Sequence, residues 1–279
     1  MKALVKGLGR FLGTRFGLLS LGLIALLALY LIGDGGGGRG EPCGGSYRVE
    51  RVIDGDTIEV KGLDARVRYL GIDTPEVLTP YSPGEALGEE AKEFNESRVL
   101  GEMVRLQCDE EEYDRYGRLL AFVFVDGVSV NEALVREGLA RALFIGPNYL
   151  YMGRIQEAEN YAKKRRKGIW SGLEALRPPR SSGGFLIAPR EAKGFIGRGA
   201  VVRGRITGVR RSRKVIALHM GDAFDVVIFT HDLGNFSFFG IDPARFYDGK
   251  IVEAVGRVSV YKGKPQIIVP HPLALRVVQ

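Results

Sequence analysis

Three short stretches combine carboxylates with arginines. VIDGDT (52–57) carries Asp54 and Asp56, RYLGIDTPE (68–76) carries Arg68, Asp73 and Glu76, and DRYGR (114–118) ends on Arg118. Carboxylate oxygens suit a hard cation such as calcium, and a small set of protein ligands leaves room for water and a bound anion. A guanidinium is a planar fork that grips two phosphate oxygens at once, a geometry lysine cannot copy. Each piece alone has a plainer explanation. Asp-Gly-Asp-Thr is ordinary turn chemistry, and an isolated arginine usually ends in a surface ion pair. The charge distribution adds to the chemical reading. The chain carries +7 overall, yet residues 41–176 hold 18 Lys and Arg against 25 Asp and Glu, while residues 190–279 hold 15 against 7. A basic balance points toward nucleic acid or an anionic membrane. An acidic block inside such a chain needs a reason, and a hard cation held by carboxylates is one. Solvated helix faces such as Glu89, Glu90 and Glu93 supply most of the count. His219, His231 and His271 all lie in the last third, so no imidazole from 41–176 can serve as base or ligand there. The two cysteines, Cys43 and Cys108, have no zinc-site spacing.

The pieces also occur in an order: VIDGDT, RYLGIDTPE, DRYGR, then VNEALVREGLA (130–140) and GIW (168–170). Together they resemble the staphylococcal nuclease family over residues 47–172. The resemblance implies an α+β fold, an OB-like five-stranded β-barrel with three helices. It implies that Asp56, Asp73 and the Thr74 main-chain carbonyl ligate Ca2+, with Asp54 behind them. Glu76 becomes the catalytic carboxylate that orients or deprotonates the attacking water, a weak base that serves if the metal makes the water more acidic. Arg68 and Arg118 become the catalytic pair that neutralises charge on pentacoordinate phosphorus. Tyr116 is placed to donate to a substrate phosphate or else to pack. The sequence departs from the family at 144–146, where tyrosines are familiar in place of Phe144 and Gly146. Phe144 keeps an aromatic face for a base without the hydroxyl. That departure bears on base preference rather than on the chemistry. The absent histidines disfavour nuclease classes that depend on imidazole. In the family fold the strands beside Cys43 and Cys108 are antiparallel neighbours, which would bring the two sulfurs together. The alternative is one exposed thiol and one buried cysteine.

The elements that must position these residues are legible in outline. YRVERVIDGDTIEV alternates apolar and polar residues around a Gly-Asp turn and reads as a hairpin start. ARVRYLGI, MVRLQC and LLAFVFV read as strands. Residues 85–100, VNEALVREGLA and RIQEAENYAKKRRK have helical periodicity, the last stopping at Gly168. RPPRSSGG (177–184) reads as a linker, so the nuclease domain is expected over 47–176, a linker over 177–189 and a second domain over 190–279. AVVRGRITGVRR, KVIALHM, FDVVIFT, IVEAVGRVSVY and PQIIVP are five short strands with one longer connection. They resemble an OB-fold nucleic-acid-binding module, with Arg203, Arg205, Arg210, Arg211, Arg213 and Lys214 as its basic side and Phe224, Phe229 and Tyr261 as stacking candidates.

Residues 16–32 are an uncharged apolar run behind Lys2, Lys6, Arg10 and Arg15. It is long enough, at the short end, for a membrane-spanning helix. The positive-inside rule puts everything after residue 33 outside the cytoplasm. Residues 1–33 are therefore expected to be a signal anchor, with a cleaved signal peptide and secretion as the alternative, and 34–46 a glycine-rich tether. The resemblance to the staphylococcal nuclease family implies a Ca2+-dependent endonuclease acting on DNA and/or RNA and leaving 3′-phosphate ends. The alternative is a membrane-tethered protein that binds nucleic acid without cutting it. The sequence implies no protein partner.

Overall fold

The computed structural model describes residues 42–173 and 185–278. The apolar run 16–32, most of the glycine tether and RPPRSSGG lie outside the described residues. Among the described residues no helix is long and apolar enough to cross a membrane.

The alternation in YRVERVID makes β1 (Ser46–Asp54) a strand that buries Val49 and Val52 and exposes Glu50 and Arg51. β2 (Thr57–Val60) and β3 (Val67–Tyr69) follow as antiparallel neighbours. Short β4 (Ile72–Asp73), β5 (Leu78–Thr79) and β6 (Ser82–Pro83) lead into helix α1 (Gly88–Val99). Then come β7 (Met103–Gln107), β8 (Leu119–Val125) and β9 (Val128–Ser129). The sheet runs β3-β2-β1-β7-β8, and β8 returns to β3 in parallel, Val67 opposite Leu119 and Tyr69 opposite Ala121, so five strands close into a barrel. Helix α2 (Val130–Arg136) starts where Ser129 Oγ accepts the Glu132 N–H at 3.2 Å. β10 (Arg141–Ala142) pairs with β4, and α3 (Met152–Arg165) crosses behind it. α3 ends with Arg166 left-handed (φ 50°), two residues before the glycine that the sequence offers as its stop. Lys163, Lys164 and Arg165 fill its last turn, where positive charge suits the helix dipole. Ile58, Val67, Leu106, Leu119 and Leu134 are fully buried inside the barrel and its helices. Each such side chain contributes roughly 1.5–3 kcal/mol by leaving water. This part of the chain has the mixed α+β character and the three helices expected from the resemblance.

Cys43 and Cys108 are bonded, with Cα atoms 5.4 Å apart. The expected tether therefore ends earlier than residue 46. The Gly44 N–H donates to the Leu106 carbonyl at 2.7 Å and the Leu106 N–H to the Gly45 carbonyl at 3.0 Å, extending the β1–β7 ladder back to the disulfide.

The remaining residues form a second barrel. β11 (Leu186–Ile187) runs parallel to β12 (Gly199–Arg205), so the end of the segment expected as linker is a strand of the sheet. β13 (Gly208–Arg211) continues from β12 past a break at Ile206-Thr207, and β14 (Val215–Met220), β15 (Phe224–Phe229), β16 (Ile251–Tyr261) and β17 (Lys264–Ile268) follow. Their order is β12-β16-β17-β15-β14-β13, with β15 parallel to β17 and β18 (Leu275–Val277) added beside β16. With β12 and β13 taken as one bent strand, the connectivity matches that of the first barrel.

The two barrels share a buried seam. Trp170, fully buried, meets Phe238 edge-on at 5.4 Å, His271 edge-on at 5.0 Å and Phe239 in a stacked arrangement at 6.4 Å. Leu87 and Leu273 complete this cluster. Burial, with Arg141 and Lys163 nearby, pushes His271 down to about 3, so its ring is neutral at ordinary pH. Beside this seam, the Gly199 N–H donates to the Tyr81 carbonyl at 2.9 Å.

The disulfide closes a loop of 65 residues. In the chain-entropy account this stabilises by about 4 kcal/mol. Denaturant titrations of the oxidised protein and of Cys43→Ser/Cys108→Ser should give midpoints separated accordingly, and coincident midpoints would contradict the pairing.

Candidate active site

The turn between β1 and β2 places Asp54 and Asp56 at one mouth of the first barrel. Asp54 Oδ1 accepts the Asp56 N–H at 3.0 Å, tightening the turn. A side chain at Gly55 would bring a Cβ within 2.8 Å of Thr74 and Ala91, so only glycine lets the turn lie against β4 and α1. Asn95 of α1 donates to the Asp54 carbonyl at 3.2 Å and accepts the Tyr69 hydroxyl at 2.9 Å, fixing the turn to β3. Asp56 is almost wholly buried. Its Oδ2 accepts the Thr74 N–H at 2.9 Å and the Thr74 hydroxyl at 3.0 Å.

Arg68, on β3, reaches into the same space. Its Nη2 lies 3.1 Å from Asp56 Oδ2 and 3.1 Å from Asp73 Oδ1, while its Nη1 donates to the carbonyls of Tyr69 at 2.8 Å and Ile72 at 3.0 Å. Burial works against its charge, but Asp56 and Asp73 outweigh burial and hold it protonated. Asp73 Oδ2 takes a second guanidinium, Arg141 Nη2 at 2.7 Å. Glu76 follows Asp73 by one turn of loop and forms no ion pair among the described residues. Helix α1 starts against its backbone, since a Cβ on Gly88 would lie 2.2 Å from the Glu76 carbonyl oxygen. The Glu85 N–H donates to that same carbonyl at 2.7 Å.

Acids outnumber their partners here. Asp54, Asp56, Asp73, Glu76 and Glu85 surround Arg68 and Arg141. Burial first, and then the neighbouring carboxylates, push Asp56 up to about 7 against the pull of Arg68. Desolvation and the charges of Glu85, Asp54, Asp56 and Asp73 push Glu76 up to about 8, although its solvent-facing edge tempers the first cause. Burial and Asp73 push Glu85 up to about 7. Among the described residues no three His, Cys, Asp or Glu side chains make a ready metal cage. The donors that do converge are two carboxylates and the Thr74 segment, all oxygen, in a field short of positive charge. That fits a hard cation with several open positions.

Arg118 stands on the loop before β8. Its Nε donates to Asp114 Oδ2 at 2.7 Å, and Asp114 Oδ1 accepts the N–H groups of Tyr116 at 2.8 Å and Arg118 at 3.0 Å. Burial pushes Asp114 up, but these bonds and the guanidinium more than offset it and leave the carboxyl below its ordinary range. Arg68, Arg118, Tyr116, Leu143 and Ile145 line one open groove of 460 Å³. Tyr116 is more than half exposed there. Phe144 packs instead against the barrel core, near Gly71, and the side chains that line the groove from that segment are Leu143 and Ile145. A second cavity, of 40 Å³, lies at the seam between Asp73, Arg141 and His271. It has room for water but not for a nucleotide.

On the second barrel, Phe224 is fully buried core rather than a stacking platform, Phe229 stacks on His231 at 5.3 Å, and Tyr261 is exposed. Arg203 is committed to the buried carboxylate of Glu253. Arg210, Arg211, Arg213 and Lys214 are exposed and have no carboxylate partner among the described residues.

Residues 66–172 match the family described as staphylococcal nuclease homologue. The thermonuclease of Staphylococcus hyicus is 47% identical over 128 residues, which is 45% of this chain and 76% of that protein. The chain belongs to the staphylococcal nuclease family. The thermonuclease of Staphylococcus intermedius is 40% identical over 157 residues, covering 55% of the chain and 94% of that relative. Endonuclease YncB of Bacillus subtilis (strain 168) is 43% identical over 127 residues, 44% of the chain and 60% of that protein. Within this nuclease-family chain, Arg141, Glu85, Asn95 and Asp114 join the site without having been singled out in the sequence. Asp114 stood inside a recognised stretch. The other three carried no signal beyond residue type.

Asp56, Glu76 and Glu85 hold protons in the folded protein at a pH where the unfolded chain, with carboxyls near 4, has released them. Stability from this source is present below about 4 and is lost as the pH rises through about 7 to 8. Metal-free protein should therefore melt at progressively lower temperature across that range in a calorimetric series. A melting temperature that rises over the same interval would contradict the crowding.

Proposed function

We propose that this chain is a calcium-dependent endonuclease that hydrolyses phosphodiester bonds of DNA and/or RNA, with water attacking and the 5′ oxygen leaving, so that 3′-phosphate ends result. The observation that carries this reading is the convergence of two arginines on one groove beside a carboxylate cluster short of positive charge. Asp56, Asp73 and the Thr74 carbonyl would hold the cation. When bound, calcium supplies Lewis-acid polarisation of the phosphate and makes nearby water more acidic.

The chain's own residues do the rest. Glu76, unpaired and solvent-facing, is held protonated by burial and the neighbouring carboxylates until a cation offsets their charge, and then accepts a proton from water. Arg68, from β3, and Arg118, from the loop before β8, bracket the phosphate and neutralise the charge that grows on the equatorial oxygens. Asp114 holds the Arg118 fork in one orientation, with Nε and Nη2 both 2.7 Å from its Oδ2. The family name, and the thermonuclease and endonuclease names of its relatives, support the same reading.

The second barrel suits nucleic-acid binding through the exposed edge at Arg210, Arg211, Arg213 and Lys214. Export through the N-terminal segment, with or without cleavage, is supported by the Cys43–Cys108 bond, since disulfides persist in oxidising compartments.

Chelation should abolish cleavage of plasmid DNA. Glu76→Ala and Arg118→Ala should each lower kcat by at least about a hundredfold with the fold intact by circular dichroism. Full activity in chelator, or near-full activity of Glu76→Ala, would overturn the assignment in favour of binding without cutting. Arg211→Ala/Lys214→Ala should bind DNA more weakly, and the slope of log affinity against log salt should fall by about 0.9 for each phosphate no longer neutralised. Anisotropy titrations in chelator measure this, and an unchanged slope would remove that edge from the binding surface.

A further inference from the structure

A charged side chain of the second barrel reaches back to the carboxylate cluster. Asp232 ends the short turn Thr230–Asp232 after β15 and is 5% exposed. Its Oδ1 lies 3.4 Å from Arg141 Nη1. Arg141, 8% exposed, gives its other prong, Nη2, to Asp73 Oδ2 at 2.7 Å. Asp73 Oδ1 faces Arg68, which faces Asp56. An unbroken alternation of charge therefore runs from one barrel into the other, between residues 91 apart in sequence at its first step.

We propose that Asp232 is a positioning residue for Asp73, so that the second barrel completes the nuclease site. The inference rests on the reading of Asp73 as a metal ligand. A guanidinium is a two-pronged donor whose preferred partner is a single carboxylate gripped by both prongs. Arg141 is held from that arrangement because Asp232 takes one prong. Asp73 is thus touched by Arg141 through Oδ2 alone, and its Oδ1 stays directed into the cluster. Remove the charge at 232 and both prongs fall to Asp73, which would then be neutralised and turned away from a cation.

The seam gives Asp232 little freedom to drift. Trp170 is packed among Phe238, Phe239 and His271, and the Gly199 N–H is bonded to the Tyr81 carbonyl in the hairpin just after Glu76. A buried ion pair is a poor way to strengthen an interface, because both charges lose their water, but a good way to fix an orientation.

The test compares the full chain with Asp232→Asn, which keeps the shape and drops the charge, and with Phe238→Ala, which loosens the seam away from Arg141. Calcium alone is titrated into each by calorimetry without nucleic acid, and kcat and KM are then measured on double-stranded DNA at saturating calcium. Asp232→Asn should bind calcium at least about tenfold more weakly, the lower end of what outer-layer partners of metal ligands contribute. It should leave KM unchanged. Phe238→Ala should melt earlier and bind calcium as the unmodified chain does. Unaltered calcium affinity in Asp232→Asn overturns the proposal, and so does an equal loss in both variants, which would make Asp232 an interface residue only. If the unmodified chain neither binds calcium nor cuts, the metal-nuclease reading has failed first and takes the inference with it, and that arm alone tells the two failures apart.

Discussion

A guanidinium buried between two carboxylates governs the arrangement. Arg68 contributes a single Nη2 to both Asp56 and Asp73 and gives Nη1 to two main-chain carbonyls. Buried charge without partners is costly, so each of these groups requires the others. The requirement spreads outward. Asp56 needs the tight Asp54-Gly55 turn, Asp73 needs β4 paired to β10, and Arg68 needs β3 set between β2 and β8. Five acids around two arginines still leave a negative surplus, which is tolerable only because three of the acids can hold protons or share a cation.

The two barrels have the same connectivity and use it differently. In each, the long connection follows the third strand. In the first barrel it carries Asp73, Thr74, Glu76 and Glu85, most of the carboxylate cluster of the candidate site. In the second it carries Asp232, Phe238 and Phe239, which face the first barrel across Trp170. One connection carries a polar cluster, and the other packs against Trp170 and Arg141 of the first barrel, while Arg68, Arg118 and Tyr116 line an open groove.

The barrel strands and the charged set were legible in sequence because both are local. Alternation marks β1, short apolar runs between turns mark the strands of the second barrel, and IVEAVGRVSVY is a strand over its full length. VIDGDT and RYLGIDTPE announce themselves because carboxylates and arginines are dense there. Arg141 and Asp232 were illegible for the opposite reason. Neither sits in a motif, and their meaning is a pairing across 91 residues that only the docking of two barrels creates. Phe144 and Phe224 illustrate a related limit. Residue type does not say whether an aromatic ring faces the groove or the core, and here Phe144, in the loop after β10, and Phe224, on β15, both pack inward. Leu186-Ile187, inside the segment read as a linker, is too short to show a period, yet it pairs with Val201-Val202.

The bond between Cys43 and Cys108 also decides how the first barrel bears tension. β1 is held to β7 by a short ladder, Ser46 to Arg105 through Arg48 to Met103, which begins at the chain's point of entry. A pull applied ahead of residue 43 would act on such a ladder one hydrogen bond at a time, like a zip opened from its end. With the sulfurs joined, the same pull passes through Cys108 into β7, and the ladder behind it carries no load. A pull on the chain ahead of residue 43 thus leaves the edge between β1 and β7 covalently shielded from being peeled.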